Sequence, residues 1–169
     1  MRHGEAANIK GIDSLRPLTN HGMREAEKMG AWLVSCEPKL QHIFVSPYLR
    51  AQQTSTKVFD ALAKAKLLHG INLETIDFIT PAGNASQVHD FIDGLIKVNE
   101  CLSAAGKDDD NVAILLISHM PFVSYLVAEL TGSLNMPIFS TGSVAVIDYN
   151  IEGMQGKLVE MMSPAKMQY

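Results

Sequence analysis

Residues 112–117 read Val-Ala-Ile-Leu-Leu-Ile and contain no polar side chain. A strand that is apolar at every position is typical of a parallel sheet whose two faces are both covered by helices. The run is far shorter than the roughly 20 apolar residues that a membrane-spanning helix needs. It therefore predicts an α/β protein, a three-layer sandwich in which helices flank a mostly parallel central sheet.

The rest of the chain alternates between amphipathic helices and short apolar strands. Helical periodicity is present in four stretches: 19–33, 46–62, 88–96 and 118–130. Strand patterns are present in four more: 43–45, 71–79, 143–149 and 157–161, the last two forming a hairpin. Thr19 and Ser46 are the expected N-cap residues, with Pro47 at the first helical position. A chain of 169 residues without repeats predicts one domain, 1–169.

Charge and cysteine content restrict the possible functions. The net charge of −4 argues against non-specific nucleic-acid binding, which depends on basic patches. It leaves room for a small anionic ligand, because local charge can oppose the overall charge. The first residues contain no apolar signal segment, and Cys36 and Cys101 lack CxxC spacing. We therefore expect a cytoplasmic protein with reduced, buried thiols.

Charged or titratable residues occur beside three predicted strand ends. They are Arg2-His3-Gly4, the segment 46–50 and Ser118-His119. In open α/β sheets, ligands bind outside the carboxyl ends of the strands, and helix N-termini there favour anions. Arg50 is predicted in the first turn of a helix, where its charge opposes the helix dipole. A cation in that position indicates an anionic ligand between the arginine and the helix.

Four segments occur in order over nearly the whole chain: RHG at 2–4, PLTNHG at 17–22, SPYLRAQQT at 46–54, and the apolar strand that leads to His119. Together they resemble the motifs of the histidine phosphatase superfamily, which includes phosphoglycerate mutases and acid phosphatases. The chain is most similar to the short bacterial phosphohistidine phosphatases of that superfamily. This resemblance implies a phosphoglycerate mutase-like fold.

The resemblance also implies residue roles and a partner. His3 would be the nucleophile that becomes phosphohistidine, while Arg2, Arg50 and His119 would bind the phosphoryl group. Arg16 would lie at the pocket rim. Two arginines suit this chemistry because the guanidinium fork matches phosphate oxygens and the protein then supplies the cations, so no metal or cofactor is expected. The implied partner is a phosphohistidine-bearing protein of a phosphorelay or phosphotransfer system.

The sequence also lacks an obvious general acid. Met120 follows His119, and residues 78–84 contain no carboxylate, so Glu5 and Glu74 are the nearest candidates. An alkoxide leaving group gains about 10²–10⁴ in rate from a proton donor. A protonated phosphohistidine instead releases neutral imidazole, whose pKa is about 6.5, and needs little help. These features favour cleavage of a P–N bond.

Two other functions stay open at the level of the sequence. One is a small-molecule phosphomonoesterase or mutase of the same superfamily. The other, less favoured, is a non-catalytic module that binds phosphoproteins. The fold also places Arg-His-Gly at the end of a central strand, so we expect about 4–6 apolar residues ahead of Met1, enough for one short strand.

Overall fold

A parallel sheet of three strands, β1 (Leu40–Val45), β2 (Asn72–Thr75) and β3 (Ala113–Ile117), forms the centre of the protein. The computed structural model describes residues 1–36, 38–103 and 113–167. The strand order is β2-β1-β3, so β1 is central. Phe44 of β1 lies opposite Glu74 on one side and Leu116 on the other. The predicted parallel sheet is thus confirmed, although Val112 and the predicted turn at 107–111 lie outside the described residues.

Helices cover both faces of this sheet. They are α1 (Asn20–Cys36), α2 (Leu49–Lys64), α3 (Ala85–Ser103) and α4 (Phe122–Thr131). Side chains of a strand alternate between its two faces. Accordingly, Ile43 and Val45 pack into an apolar cluster with residues of α1 and α2. Phe44 packs into a second cluster with residues of α3 and α4. The three-layer sandwich predicted from the sequence is confirmed.

The first residues of the chain extend the sheet beside β3. The amide of Ser118 donates to the carbonyl of Met1 at 2.9 Å, and the amide of His3 donates to the carbonyl of Ser118 at 3.0 Å. Arg2 makes a parallel bridge with Ser118. Its amide donates to the carbonyl of Ser143 at 2.9 Å. These bonds bring residues 2 and 3 to the edge of the sheet where His119 also lies. The further strand ahead of Met1 stays a prediction.

The predicted terminal hairpin is confirmed as β4 (Val144–Asn150) and β5 (Gln155–Met162), which pair antiparallel. Apolar side chains on both strands pack against the cluster formed by α3 and α4. Among the described residues, none of the helices has the length and apolarity needed to span a membrane.

Several predicted boundaries are wrong. Ser46 is not an N-cap: α2 begins at Leu49 after Tyr48, and the Ser46 side chain is fully buried. The strand expected over 71–79 ends at Thr75, and α4 begins only at Phe122. The Thr19 N-cap is confirmed, because its hydroxyl accepts from the Gly22 amide at 3.0 Å.

The expected burial of the cysteine thiols is also wrong for Cys36, which is exposed. It is the last residue of α1. The Cys101 side chain lies outside the described part of the chain.

Candidate active site

A cavity of about 290 Å³ opens at the carboxyl edge of the sheet. Its lining residues come from the first strand-like residues, the loop that follows them, the start of α2, the turn before α4 and the segment before β4: Arg2, His3, Glu5, Ala6, Arg16, Arg50, Met120 and Thr141. His119 stands directly behind, with its ring centroid 4.9 Å from that of His3. The structure thus brings together the three strand ends that the sequence singled out.

The His3 ring has a defined tautomer. Arg50 Nε, which is always a donor, points at His3 Nε2 at 3.1 Å. Nε2 therefore carries a lone pair, and the proton sits on Nδ1, which donates to the carbonyl oxygen of Gly4 at 2.6 Å. Burial, with smaller contributions from the nearby arginine charges, lowers the pKa of His3 to about 4. The imidazole is thus neutral near pH 7 and can act as a nucleophile at Nε2.

Close backbone packing fixes the position of His3. A Cβ atom on Gly4 would overlap the carbonyl oxygen of Gly22, and a Cβ atom on Gly22 would overlap the carbonyl oxygen of Glu5. The glycines of two separate sequence motifs therefore allow the chain after His3 to lie directly against α1. The Gly4 amide also donates to the Thr54 hydroxyl of α2 at 3.1 Å.

Arg50 is held by Asp13, a residue that the sequence analysis did not select. Its Nη1 donates to the Asp13 carbonyl at 2.7 Å and its Nη2 to Asp13 Oδ2 at 2.9 Å. The other carboxylate oxygen of Asp13 accepts from Arg16 Nη1 at 3.0 Å. Hydrogen bonding from Arg50 holds the pKa of Asp13 below its ordinary value. Asp13 is therefore ionised and orients two arginines, and its spacing of three residues from Arg16 was the available signal in the sequence.

Arg2 is oriented by the segment between α4 and β4. Its Nη1 donates to the carbonyl of Phe139 at 2.6 Å. Its Nε is buried and has no hydrogen-bond partner among the described residues. A buried donor without a partner is costly, and an anion in the cavity would supply the missing acceptor.

His119 is also held in one orientation by a residue that the sequence analysis assigned elsewhere. His119 Nε2 lies 2.7 Å from the hydroxyl of Ser46, which itself accepts from the Tyr48 amide at 3.4 Å. The bonding is complete if the Ser46 hydroxyl donates to Nε2, which leaves the proton on Nδ1. That Nδ1 is buried and has no partner in the described part of the chain. Burial, followed by His3 and Arg50, lowers the pKa of His119 to about 3.

The two carboxylates proposed as acids lie in different places. Glu5 lines the cavity, and its Oε2 accepts from the Thr19 hydroxyl at 2.5 Å. Glu74 lies on β2, where it accepts from Asn72 at 2.5 Å, and it does not line the cavity. No cluster of metal-ligating side chains is present among the described residues.

The site at the carboxyl edge of this α/β sandwich combines a neutral, nucleophilic imidazole with three arginines. This combination is suited to the binding and transfer of an anionic group. Residues 1–79 match the histidine phosphatase superfamily (branch 1). The chain is 34% identical over 167 residues to the phosphohistidine phosphatase SixA of Escherichia coli K12. This alignment covers 99% of this chain and 93% of that protein. The chain therefore belongs to the histidine phosphatase superfamily.

Two further comparisons agree with this assignment. A SixA homologue of Haemophilus influenzae is 35% identical over 153 residues, covering 86% of this chain and 83% of the homologue. The solved structure of the protein histidine phosphatase SixA complexed with tungstate matches with a TM-score of 0.83 and 34% identity, covering 99% of this chain and 97% of the other. The phosphoglycerate mutase-like fold expected from the sequence is confirmed.

Proposed function

We propose that this protein is a phosphohistidine phosphatase that hydrolyses the P–N bond of phosphohistidine carried on another protein. The observation that carries this proposal is the lone pair of His3 Nε2 in a cavity lined by Arg2, Arg16 and Arg50. The similarity to SixA supports the same function.

In the first half of the reaction, His3 Nε2 attacks phosphorus in line with the substrate nitrogen. The substrate phosphohistidine reacts with a proton on its other ring nitrogen. The new N–P bond forms as the old one breaks, and the substrate histidine therefore leaves as neutral imidazole. Charge spreads over the three equatorial oxygens of the transition state, where preorganised donors are most effective. Arg2, Arg50 and Nδ1 of His119 provide those donors, and Arg16 lies at the rim.

In the second half, water attacks the phosphoryl group on His3, which releases inorganic phosphate. The Gly4 carbonyl is important here, because it retains the proton on Nδ1 while Nε2 carries phosphorus. His3 then leaves as a neutral imidazole without any further proton transfer to its ring. The same hydrogen bond therefore prepares the lone pair for attack and makes His3 a good leaving group.

The carboxylates near the cavity favour P–N over P–O cleavage. Asp13 is bound by Arg50 and Arg16, and its lowered pKa makes it a poor proton donor. Glu25 accepts from the Glu5 amide at 2.7 Å and from the Thr141 hydroxyl at 2.6 Å, so it serves as a structural acceptor. Among the described residues that line the cavity, Glu5 is the remaining candidate acid, and Glu5→Gln tests it. Glu5→Gln should hydrolyse phosphoramidate as fast as the wild type does, because cleavage of a P–N bond needs little help from a proton donor.

The proposed partner is a phosphohistidine-bearing protein of a phosphorelay or phosphotransfer system, and the names of the SixA relatives support the phosphohistidine in this proposal. A cytoplasmic location is part of the proposal, supported by the exposed free thiol of Cys36, which is typical of a reducing compartment. We further propose that residues 1–169 act as a single domain.

Trapping of the covalent intermediate tests the proposal directly. The protein is mixed with ³²P-labelled phosphohistidine protein, quenched in alkali and separated by gel electrophoresis. We expect label on the wild type and none on His3→Ala. His69→Ala is the matched control, because His69 also precedes a glycine but is exposed and outside the cavity. Wild-type protein that never labels would refute the proposal.

Comparison of substrates separates the alternatives. We expect phosphoramidate to be hydrolysed far faster than an alkyl phosphate, because only the ester needs a proton donor. Comparable rates would favour the phosphomonoesterase alternative. Binding of the phosphoprotein without any turnover would favour the non-catalytic module.

A further inference from the structure

Two chain segments beside the cavity expose large apolar side chains. We call these side chains the apolar rim; its members are Ile9, Ile12, Leu15, Leu134, Met136 and Ile138. Their exposure runs from 51% for Met136 to 99% for Leu134. Eleven large apolar residues are exposed in the described part of the chain, and the apolar rim accounts for six of them. Such concentration in two short segments points to a contact surface rather than to scattered exposure.

The first segment, residues 8–15, is joined to the cavity at several points. Ala6 precedes it and Arg16 follows it, and both line the cavity. Asp13, next to Ile12 in the segment, binds Arg50 through its carbonyl and its carboxylate. These contacts fix the backbone of the segment at the cavity edge while its apolar side chains stay exposed.

The second segment, residues 132–141, borders the cavity at a different point. The carbonyl of Phe139 accepts from Arg2, and Thr141 lines the cavity. The carbonyl of Pro137 accepts from the Ser124 hydroxyl of α4 at 2.5 Å, so this segment is also anchored. It contains no charged residue, so it presents no side-chain charge to a docking partner.

His3 lies deep in the cavity, and this depth determines how closely a phosphohistidine donor must approach the two segments. His3 is only 7% exposed, so a phosphohistidine ring must enter the cavity before its phosphorus can reach Nε2. The surface that carries that ring then lies within side-chain distance of the cavity edge. A free phosphohistidine would leave the apolar rim in water, whereas a protein-borne one would bury it.

We propose that the apolar rim is the docking surface for the phosphohistidine-bearing protein, whose face around the phosphohistidine is apolar and largely uncharged. This inference rests on the proposed function and adds the surface by which the substrate protein is selected. The arginines bind the phosphoryl group of any donor, and burial of the apolar rim provides the additional affinity for a protein. A few such buried anchors carry most of the binding energy at protein interfaces.

The test compares two donors in three variants. Ile12→Glu and Ile138→Glu place a charge on each segment, and Val159→Glu is the matched control, because Val159 is 61% exposed on β5. Each variant is assayed with phosphoramidate and with a ³²P-labelled phosphohistidine phosphotransfer domain. We expect kcat/KM for the protein donor to fall at least tenfold in both rim variants, with phosphoramidate changed less than twofold. Val159→Glu should match the wild type on both donors.

The other outcomes are equally decisive. Unchanged turnover of the protein donor by both rim variants would overturn the docking proposal, and so would an equal fall on both donors, which would indicate a structural effect. If the wild type hydrolyses neither donor, the proposed function fails and the docking proposal fails with it. Wild-type turnover of phosphoramidate alone would contradict a protein substrate and overturn the docking surface.

Discussion

Replacement of Ser46 by alanine should impair phosphoryl transfer through a residue that does not itself line the cavity. The Ser46 hydroxyl is fully buried and lies 2.7 Å from Nε2 of His119. If this hydroxyl donates to Nε2, it holds the His119 proton on Nδ1, which has no partner in the described part of the chain. In Ser46→Ala, the neutral ring is free to carry its proton on Nε2, which would aim a lone pair at the phosphoryl group.

The size of the effect follows from the lost donor. A hydrogen bond to a charged group contributes about 1.5–3 kcal/mol. Since about 1.36 kcal/mol corresponds to a tenfold change in rate, kcat/KM should fall roughly 10- to 150-fold. Phosphoramidate is the appropriate substrate, because its turnover does not depend on docking. Ser55→Ala is the control for loss of a buried serine hydroxyl, as Ser55 is 4% exposed and does not line the cavity.

A pH profile distinguishes the proton-holding role of Ser46 from general structural damage. Protonated His119 carries a proton on both nitrogens and donates from Nδ1 whether or not Ser46 is present. Because the pKa of His119 is about 3, the ratio of wild-type to Ser46→Ala activity should stay level above about pH 5 and decrease as the pH falls from there toward 3. Protonation of His3 lowers the activity of the wild type and of Ser46→Ala by the same factor, so it does not change their ratio. A deficit that stays constant down to about pH 3, or a variant within twofold of the wild type at pH 7, would refute this reasoning.

Three other perturbations test the remaining parts of the site. Because burial lowers the pKa of His3 to about 4, kcat/KM should stay level down to about pH 5 and fall below it; a limb near pH 6.5 would contradict this. Asp13→Asn should weaken inhibition by inorganic phosphate about two- to fivefold, because the exposed Asp13 side chain loses the charged bond that orients Arg50. Gly22→Ala should lower the melting temperature markedly, since the new methyl group meets the Glu5 carbonyl and overpacking costs about 1–3 kcal/mol or more.

The sequence predicts the layers of this fold well because burial is periodic. The apolar run at 112–117 and the helical repeats report which faces are covered, and the structure confirms both for the residues it describes. Boundaries are less predictable where two local signals compete. Ser46-Pro47 has residue types that are typical of a helix start. The Ser46 hydroxyl instead forms a tertiary hydrogen bond with His119, and α2 begins three residues later, at Leu49.

Asp13 shows why part of the site is not readable from sequence. It lies in a single 3₁₀ turn, Asp13–Leu15, with no periodicity and no neighbouring motif glycine. Its importance comes from a contact with Arg50, 37 positions further along the chain, which depends on the path of the intervening loop and helix. The sequence placed Arg50 correctly in the first turn of α2 but could not show what neutralises and orients it there.

The arrangement around His3 explains why a site with this donor set suits transfer between two histidines. Attacking and leaving groups are both imidazoles, so neither direction of transfer requires a strong acid or base. What the site must do is keep the attacking ring neutral and bind the phosphoryl oxygens. Burial supplies the first, and in the proposed mechanism Arg2 and Arg50, which line the cavity, supply the second. Hydrolysis then needs only water, because the Gly4 carbonyl already holds the one proton that His3 must keep in order to leave.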